Sequence, residues 1–345
     1  MLDETAPRTR PSRRPHPSDV LRLVLRIVLA LAFGAFALTV VGTAGLLAAP
    51  AVLSRLEQPA LQAWGTVLAA VVIQGLPFLL LGTVVSAAIG ALVPDRVLSR
   101  VLPRNPVLAV PVAGAAGAVL PGCECASVPV AGSLIRRGVA PAAALAFLLS
   151  APAVNPVVLV ATSIAFPGHP ELVLARLLAS LTTSVIMGWL WLRLGRTDWL
   201  RLRERPPSVE GHGRWTAFTR ALQHDFLHAG GFLVLGAAAA ATFNIAVPPS
   251  ALETFAASPW LAVPLLGVLA VVLSICSEAD AFVAASLSGF SPTARLAFMV
   301  VGPMVDLKLI ALQAGTFGRA FAVRFSAATF ATAILVSALV GGWLL

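Results

Sequence analysis

Residues 106–134 read PVLAVPVAGAAGAVLPGCECASVPVAGSL, a stretch long enough to cross a bilayer yet punctuated by Pro111, Gly114, Gly117, Pro121, Gly122 and Pro129. Proline removes a backbone donor and clashes with the preceding turn, so these residues are expected to break any continuous helix. Whether the segment crosses the membrane or turns back decides the orientation of everything after it.

That a membrane is involved follows from composition. The chain of 345 residues is 58% hydrophobic and only 11% charged, with a mean hydropathy of +0.91. Those values lie outside the range of soluble domains. Helices rather than a barrel are expected, because the apolar runs do not alternate with polar residues and several reach the roughly 20 residues a spanning helix needs. The net charge of +9 comes from arginines in short connections, which excludes nucleic acid as a natural partner and marks orientation instead. Three cysteines, two of them one residue apart, are no disulfide framework.

The arginine-rich segment 1–26 precedes an apolar run at 27–49, read as an uncleaved first transmembrane helix with its basic end in the cytoplasm. Further apolar runs occupy 64–92, 106–134, 140–166, 171–192, 226–247, 260–287, 293–316 and 321–345. The longest polar connection, 193–225, separates a first half at 64–192 from a second at 226–345. With 193–220, 8–26 and Arg96, Arg100, Arg104, Arg136 and Arg137 all placed in the cytoplasm, 106–134 must enter and return on one side. The same reasoning makes 260–287 re-entrant. Only Arg55, Arg176, Arg295 and Lys308 are then left off the cytoplasmic side.

The halves also resemble each other. PFLLLG at 77–82 is echoed by GFLVLG at 231–236, Pro94 by Pro248, Cys123 by Cys276, Ser133 by Ser286 and Gly138 by Gly289. APAAALAFLLSAPAVN at 140–155 matches SPTARLAFMVVGPMVD at 291–306 at seven of sixteen positions, both prolines included. The expected fold class is therefore an all-α polytopic membrane protein. It would have two inverted repeats, each with three spanning helices and a re-entrant broken hairpin, plus the extra N-terminal helix.

Charged groups at the centre of a membrane helix cost about 2.5–3.5 kcal/mol each on insertion scales, so those inside apolar runs are functional candidates. They are Glu124, Glu278, Asp280, Asp306 and Lys308, expected to bind a solute or couple its movement to protons. Cys123 and Cys125 flank Glu124, and Cys276 stands at the corresponding turn. Thiolates favour soft ions such as Zn(II), Cu(I) or a trivalent metalloid, which makes these three cysteines candidate metal ligands. Asn155 joins the substrate-binding set because Pro152-Ala-Val-Asn155 corresponds to Pro303-Met-Val-Asp306, each a proline-broken helix with a polar group at the break. His224 and His228, at i and i+4 beside Asp225, have metal-holding spacing but are read as a solvated face.

The stretch GCECASVPVAGSLIRRGVAPAAALAFLLSAPAVNPVVLVAT at 122–162 resembles the signature of the ArsP-like predicted permease family, which includes organoarsenical efflux permeases and many other bacterial proteins. The resemblance covers roughly 60–345 and implies a multi-pass permease of the bacterial inner membrane, with Cys123 and Cys125 matching the family's cysteine motif. Glu124 departs from the Cys-Ser-Cys or similar form of that motif, which leaves a divalent cation open as substrate. The leading expectation is a secondary transporter, not an enzyme, moving a small thiophilic solute or a soft metal or metalloid ion. It would need no cofactor, and its partners would be the bilayer, the solute and a membrane or periplasmic subunit. The competing readings are a membrane-embedded thiol oxidoreductase using Cys123 and Cys125, and a non-transporting subunit of a larger complex.

Overall fold

The structure, a computed structural model, describes residues 59–92, 103, 105–119, 124–202, 214–246 and 259–345. The expected first helix at 27–49, the basic segment 1–26, Cys123 and the middle of the polar connection lie outside the described residues. The helices gather in one compact unit, 63–207 with 218–345; the second unit, 1–62 with 208–217, holds among the described residues only the first turns of two helices.

The described chain is all-helical. In order it forms α1 (Pro59–Leu92), α2 (Pro106–Ala116), α3 (Glu124–Arg136), α4 (Pro141–Val154), α5 (Pro156–Ala165) and α6 (Pro170–Leu194). After the connection come α7 (Arg214–Ala246), α8 (Pro259–Leu273), α9 (Asp280–Ser286), α10 (Pro292–Met304), α11 (Leu307–Phe317) and α12 (Arg319–Leu344). Six stretches among the described residues are long and apolar enough to span: Leu61–Gly90, Pro141–Ala165, Pro170–Leu194, Phe218–Thr242, Pro292–Phe317 and Arg319–Leu344. Two of them are interrupted near their middles, between α4 and α5 and between α10 and α11. These two are 78% and 83% buried, whereas the other four reach at most 50%. The broken spans are thus the core of the bundle, consistent with irregular backbone being tolerated at membrane depth only where protein covers it.

Each half packs in the same sequence order. α2 lies on α4 and α8 on α10; α4 lies on α6 and α10 on α12; α3 lies on α4 and α9 on α10. The halves meet where α4 touches α10 and α6 touches α12, and they cross over where α3 packs on α11 and α9 on α5.

The segment 106–134 is broken, but not at every expected position. Pro111 and Pro129 sit inside α2 and α3 without ending them, and α2 gives way to a short 3-10 turn at Gly117–Val119. The physical reason at Pro111 is on α6. The carbonyl of Val107, four residues earlier, would be left without its helical donor, and Trp189 Nε1 donates to it at 3.0 Å. At Gly117 a side chain would collide with the Ser150 hydroxyl and the Ala151 backbone nitrogen, so the turn requires glycine to lie against α4. In 260–287 the break falls after Leu273, at Ser274, whose φ of +49° is in the left-handed region; a non-glycine residue there stores about 1–2 kcal/mol of strain.

Candidate functional site

Both interruptions of the core spans are capped by the residue the sequence marks. Asn155 Oδ1 accepts from the Val158 backbone nitrogen at 3.0 Å, and its Nδ2 donates to the Ala151 carbonyl at 3.2 Å. Asp306 Oδ1 accepts from Leu309 N at 2.6 Å. A side-chain acceptor at the start of a helix satisfies one of the four donors that have no helical partner. Ser274 adds a second tie at the α11 break, its hydroxyl accepting from Leu307 N at 3.1 Å while donating to the Val271 carbonyl at 2.9 Å. The strained serine therefore joins the end of α8 to the start of α11.

Asp306 also faces Lys308, its Oδ2 lying 3.3 Å from the ammonium. Two residues apart on a regular helix would point in different directions, and the extended backbone of Asp306 (φ −143°, ψ 170°) is what allows the pairing. The distance makes this an ion pair, although Oδ2 takes part in no hydrogen bond. Lys308 Nζ donates instead to Glu124 Oε1, at 2.8 Å. Glu124 is the first residue of α3 and fully buried, and its Oε2 has no hydrogen-bond partner. One ammonium from the second half thus bridges its own half's Asp306 and the first half's Glu124. Cys125 and Cys276 lie within electrostatic range of the same ammonium. Cys125 is buried and free, with its sulfur toward Gly75 on α1. Cys276, also buried and in no disulfide, directs its thiol at Glu278 Oε2, 2.6 Å away. Ser277 Oγ contacts the same oxygen at 3.4 Å.

A second pair lies across the halves in the opposite sense. Arg176 on α6 donates to Asp280 Oδ2 on α9 at 2.7 Å, to the Ser277 carbonyl at 3.3 Å and to Thr162 Oγ1 on α5 at 2.8 Å. Arg176 and Asp280 are both buried. Asp280 is within electrostatic range of Glu124 and Glu278. Arg176 is a site residue that the sequence leaves among the topological exceptions; its signal was an arginine inside the apolar run 171–192. Thr162 carried no such signal.

Two glycines press the scaffold onto this centre. A Cβ at Gly82 of α1 would collide with the Ala126 Cα on α3, and one at Gly236 of α7 would lie 2.6 Å from the Lys308 Cα. They end the corresponding motifs PFLLLG and GFLVLG. Small residues permit this approach of backbones.

The histidines, read as a solvated face despite their metal-holding spacing, are instead packed against a neighbouring helix. His224 and His228 are half-buried and stacked, with ring centroids 6.1 Å apart, and His228 Nε2 lies 3.0 Å from the Gly315 carbonyl on α11. The reason is that α7 packs against the second core span there, with Asp225 reaching Ser86 on α1 at 3.2 Å and Arg136 on α3 at 3.6 Å. Among the described residues no three His, Cys, Asp or Glu converge as a metal-binding group. A three-thiol site of Cys123, Cys125 and Cys276 depends on Cys123, outside the described residues.

Comparison with known proteins agrees on the kind of molecule. Residues 61–342 match the ArsP_1 family, described as predicted permease. A Streptococcus mutans protein named as a candidate two-component membrane permease complex subunit is 30% identical over 278 residues, covering 79% of this chain and 92% of its own. The Bacillus subtilis UPF0718 protein YcgR is 34% identical over 258 residues, covering 73% of this chain and 87% of its own. No solved structure matches.

Proposed function

The chain belongs to the predicted permease family, and from that premise we propose that it is a secondary transporter of the bacterial inner membrane working by alternating access. Its two halves would be inverted repeats that rock about the charged centre. The observation that carries this reading is the reciprocity of the two buried pairs. Each hairpin supplies an acid, Glu124 or Asp280, held by a base from the opposite half, Lys308 or Arg176. Sites at the meeting of broken helices from two repeats are where secondary transporters place substrate and coupling ions. The same packing order in both halves supports the repeat, and the three spans that the described residues place on either side of the connection support its inversion.

The cargo in this reading is a small thiophilic solute or soft metal or metalloid ion, taken by Cys123, Cys125 and Cys276 with Glu124, Glu278, Asp280, Asp306 and Asn155 around them. The carboxylates and Lys308 couple its passage to a second ion. A partner subunit fits the Streptococcus relative's name, which describes a two-component complex; native mass measurement of the chain extracted from its own host would reveal one.

The test is the melting temperature of the purified chain against zinc, copper(I), cadmium, arsenite and methylarsenite. One ligand is expected to stabilise the wild type and to have no effect on Cys123→Ser/Cys125→Ser, since binding to the folded state alone raises stability. A panel in which nothing stabilises the wild type removes the thiophilic cargo.

A further inference from the structure

The two buried pairs are built from different bases, and the difference matters. Arg176 presents a planar guanidinium to three acceptors on α5, the 274–279 loop and α9. It never loses its charge, and its geometry matches several partners at once. Such a group is a permanent tie. Lys308 has one compact ammonium on a flexible four-carbon stem, set between Glu124 Oε1 at 2.8 Å and Asp306 Oδ2 at 3.3 Å.

Gly236 of α7 lies against the backbone of Lys308, and displacing the ammonium needs only the rotatable bonds of its four-carbon stem. Were the stem to swing, two fully buried carboxylates would face each other with no positive charge between them. Removing one partner of a buried pair leaves a charge that the interior does not tolerate. Glu124 Oε2 is in addition buried with no partner even while the lysine is in place, and Asp306 Oδ2 takes part in no hydrogen bond. The centre therefore has more oxygen acceptors than one ammonium fills.

We propose that Glu124 and Asp306 form a binding site for an alkali cation, sodium or potassium, whose resting occupant is the Lys308 ammonium. The cation and the ammonium exchange during transport, which makes this the coupling-ion site of the permease reading on which the proposal rests. A single positive charge replaces another, so the charge of the centre is conserved. An ion that accepts several oxygens at once meets both carboxylates, the spare Glu124 oxygen included, whereas a single proton meets one. Carboxylate oxygens are hard ligands and suit such a cation. Asp280 takes no part in the exchange because Arg176 does not leave it.

The prediction runs against the usual effect of deleting a buried charge. Lys308→Met removes the built-in competitor, so sodium or potassium chloride, compared with choline chloride at equal ionic strength, should raise its melting temperature with an apparent affinity about tenfold or more tighter than in the wild type. Adding Glu124→Gln or Asp306→Asn to Lys308→Met should abolish that response. Comparison of the two salts names the ion. A Lys308→Met protein that responds equally to choline, or that is rescued only by acid and not by either salt, overturns the proposal. Should Lys308→Met not fold, binding of radioactive sodium and rubidium to the wild type and to Lys308→Arg decides the matter. The wild type should bind one of them and the arginine variant neither; no binding to the wild type, or equal binding to both, overturns it. Neither experiment uses a thiol ligand, so loss of the alkali site leaves the test of the cargo standing, and the reverse.

Discussion

Arg176 and Asp280 are buried together in a bundle with little else to neutralise them. Breaking a buried pair by removing one member costs about 3–5 kcal/mol, whereas replacing both by apolar groups of similar volume is often neutral. Arg176→Met should therefore lower the melting temperature severely, and Arg176→Met/Asp280→Leu should recover most of the loss, as thermal unfolding in detergent would register. If the double variant melts as low as the single one, the arginine's contacts with Thr162 and Ser277 matter more than its charge. This residue shows where sequence reasoning stops. Glu124, Asp306 and Lys308 were legible because an acid or a lysine in an apolar run demands a reason. Arg176 stands in an equally apolar run, yet counts there only as an exception to the arginine topology, with no role. Only the fold reveals that Asp280, more than a hundred positions away, lies 2.7 Å from it.

The glycines make the corresponding argument for helices. Gly82 and Gly236 let α1 and α7 lie against the backbone beside Glu124 and at Lys308. Gly231, in the same GFLVLG motif, is exposed, and a methyl group added there would have no neighbour within 4 Å. Gly82→Ala and Gly236→Ala should each destabilise by about 1–3 kcal/mol through overpacking. Gly231→Ala should be neutral or stabilise by up to about 1 kcal/mol, because alanine is the better helix former. Melting curves of the three variants check this, and equal effects would contradict the close approach. The interruptions of the two core spans could be read from Pro152-x-x-Asn155 and Pro303-x-x-Asp306, since both the missing donor and the cap are local. The exact course of 106–134 could not. Pro111 stays within α2 because Trp189, remote in sequence, supplies the donor that the proline removed, and a local pattern carries no information about such a partner.

For the molecule as a whole, the six spans among the described residues, three on each side of the connection, fall on apolar runs of the sequence, because apolar length is a property of the chain itself. The orientation of the halves is open to direct measurement. Gly138 and Gly289 are exposed connections at corresponding places in the two halves. With inverted halves, a cysteine at Gly289 should react with an impermeant maleimide in intact cells, and one at Gly138 only after the cells are opened. The left-handed φ of +82° at Gly138 adds about 1 kcal/mol of strain to that variant, which an exposed turn tolerates. Labelling of both from one side would show that the halves are parallel. The reciprocity of the charge pairs also bears on how such a chain is made. Ribosomes deliver the first half to the bilayer before the second exists, so Glu124 and Arg176 enter without Lys308 and Asp280. Until synthesis is complete they must shelter with each other, with water or with the insertion machinery, and maturation is then an exchange of temporary mates for final ones. The last helices to emerge release the first from custody, and a chain stalled midway is the form a quality-control protease would recognise.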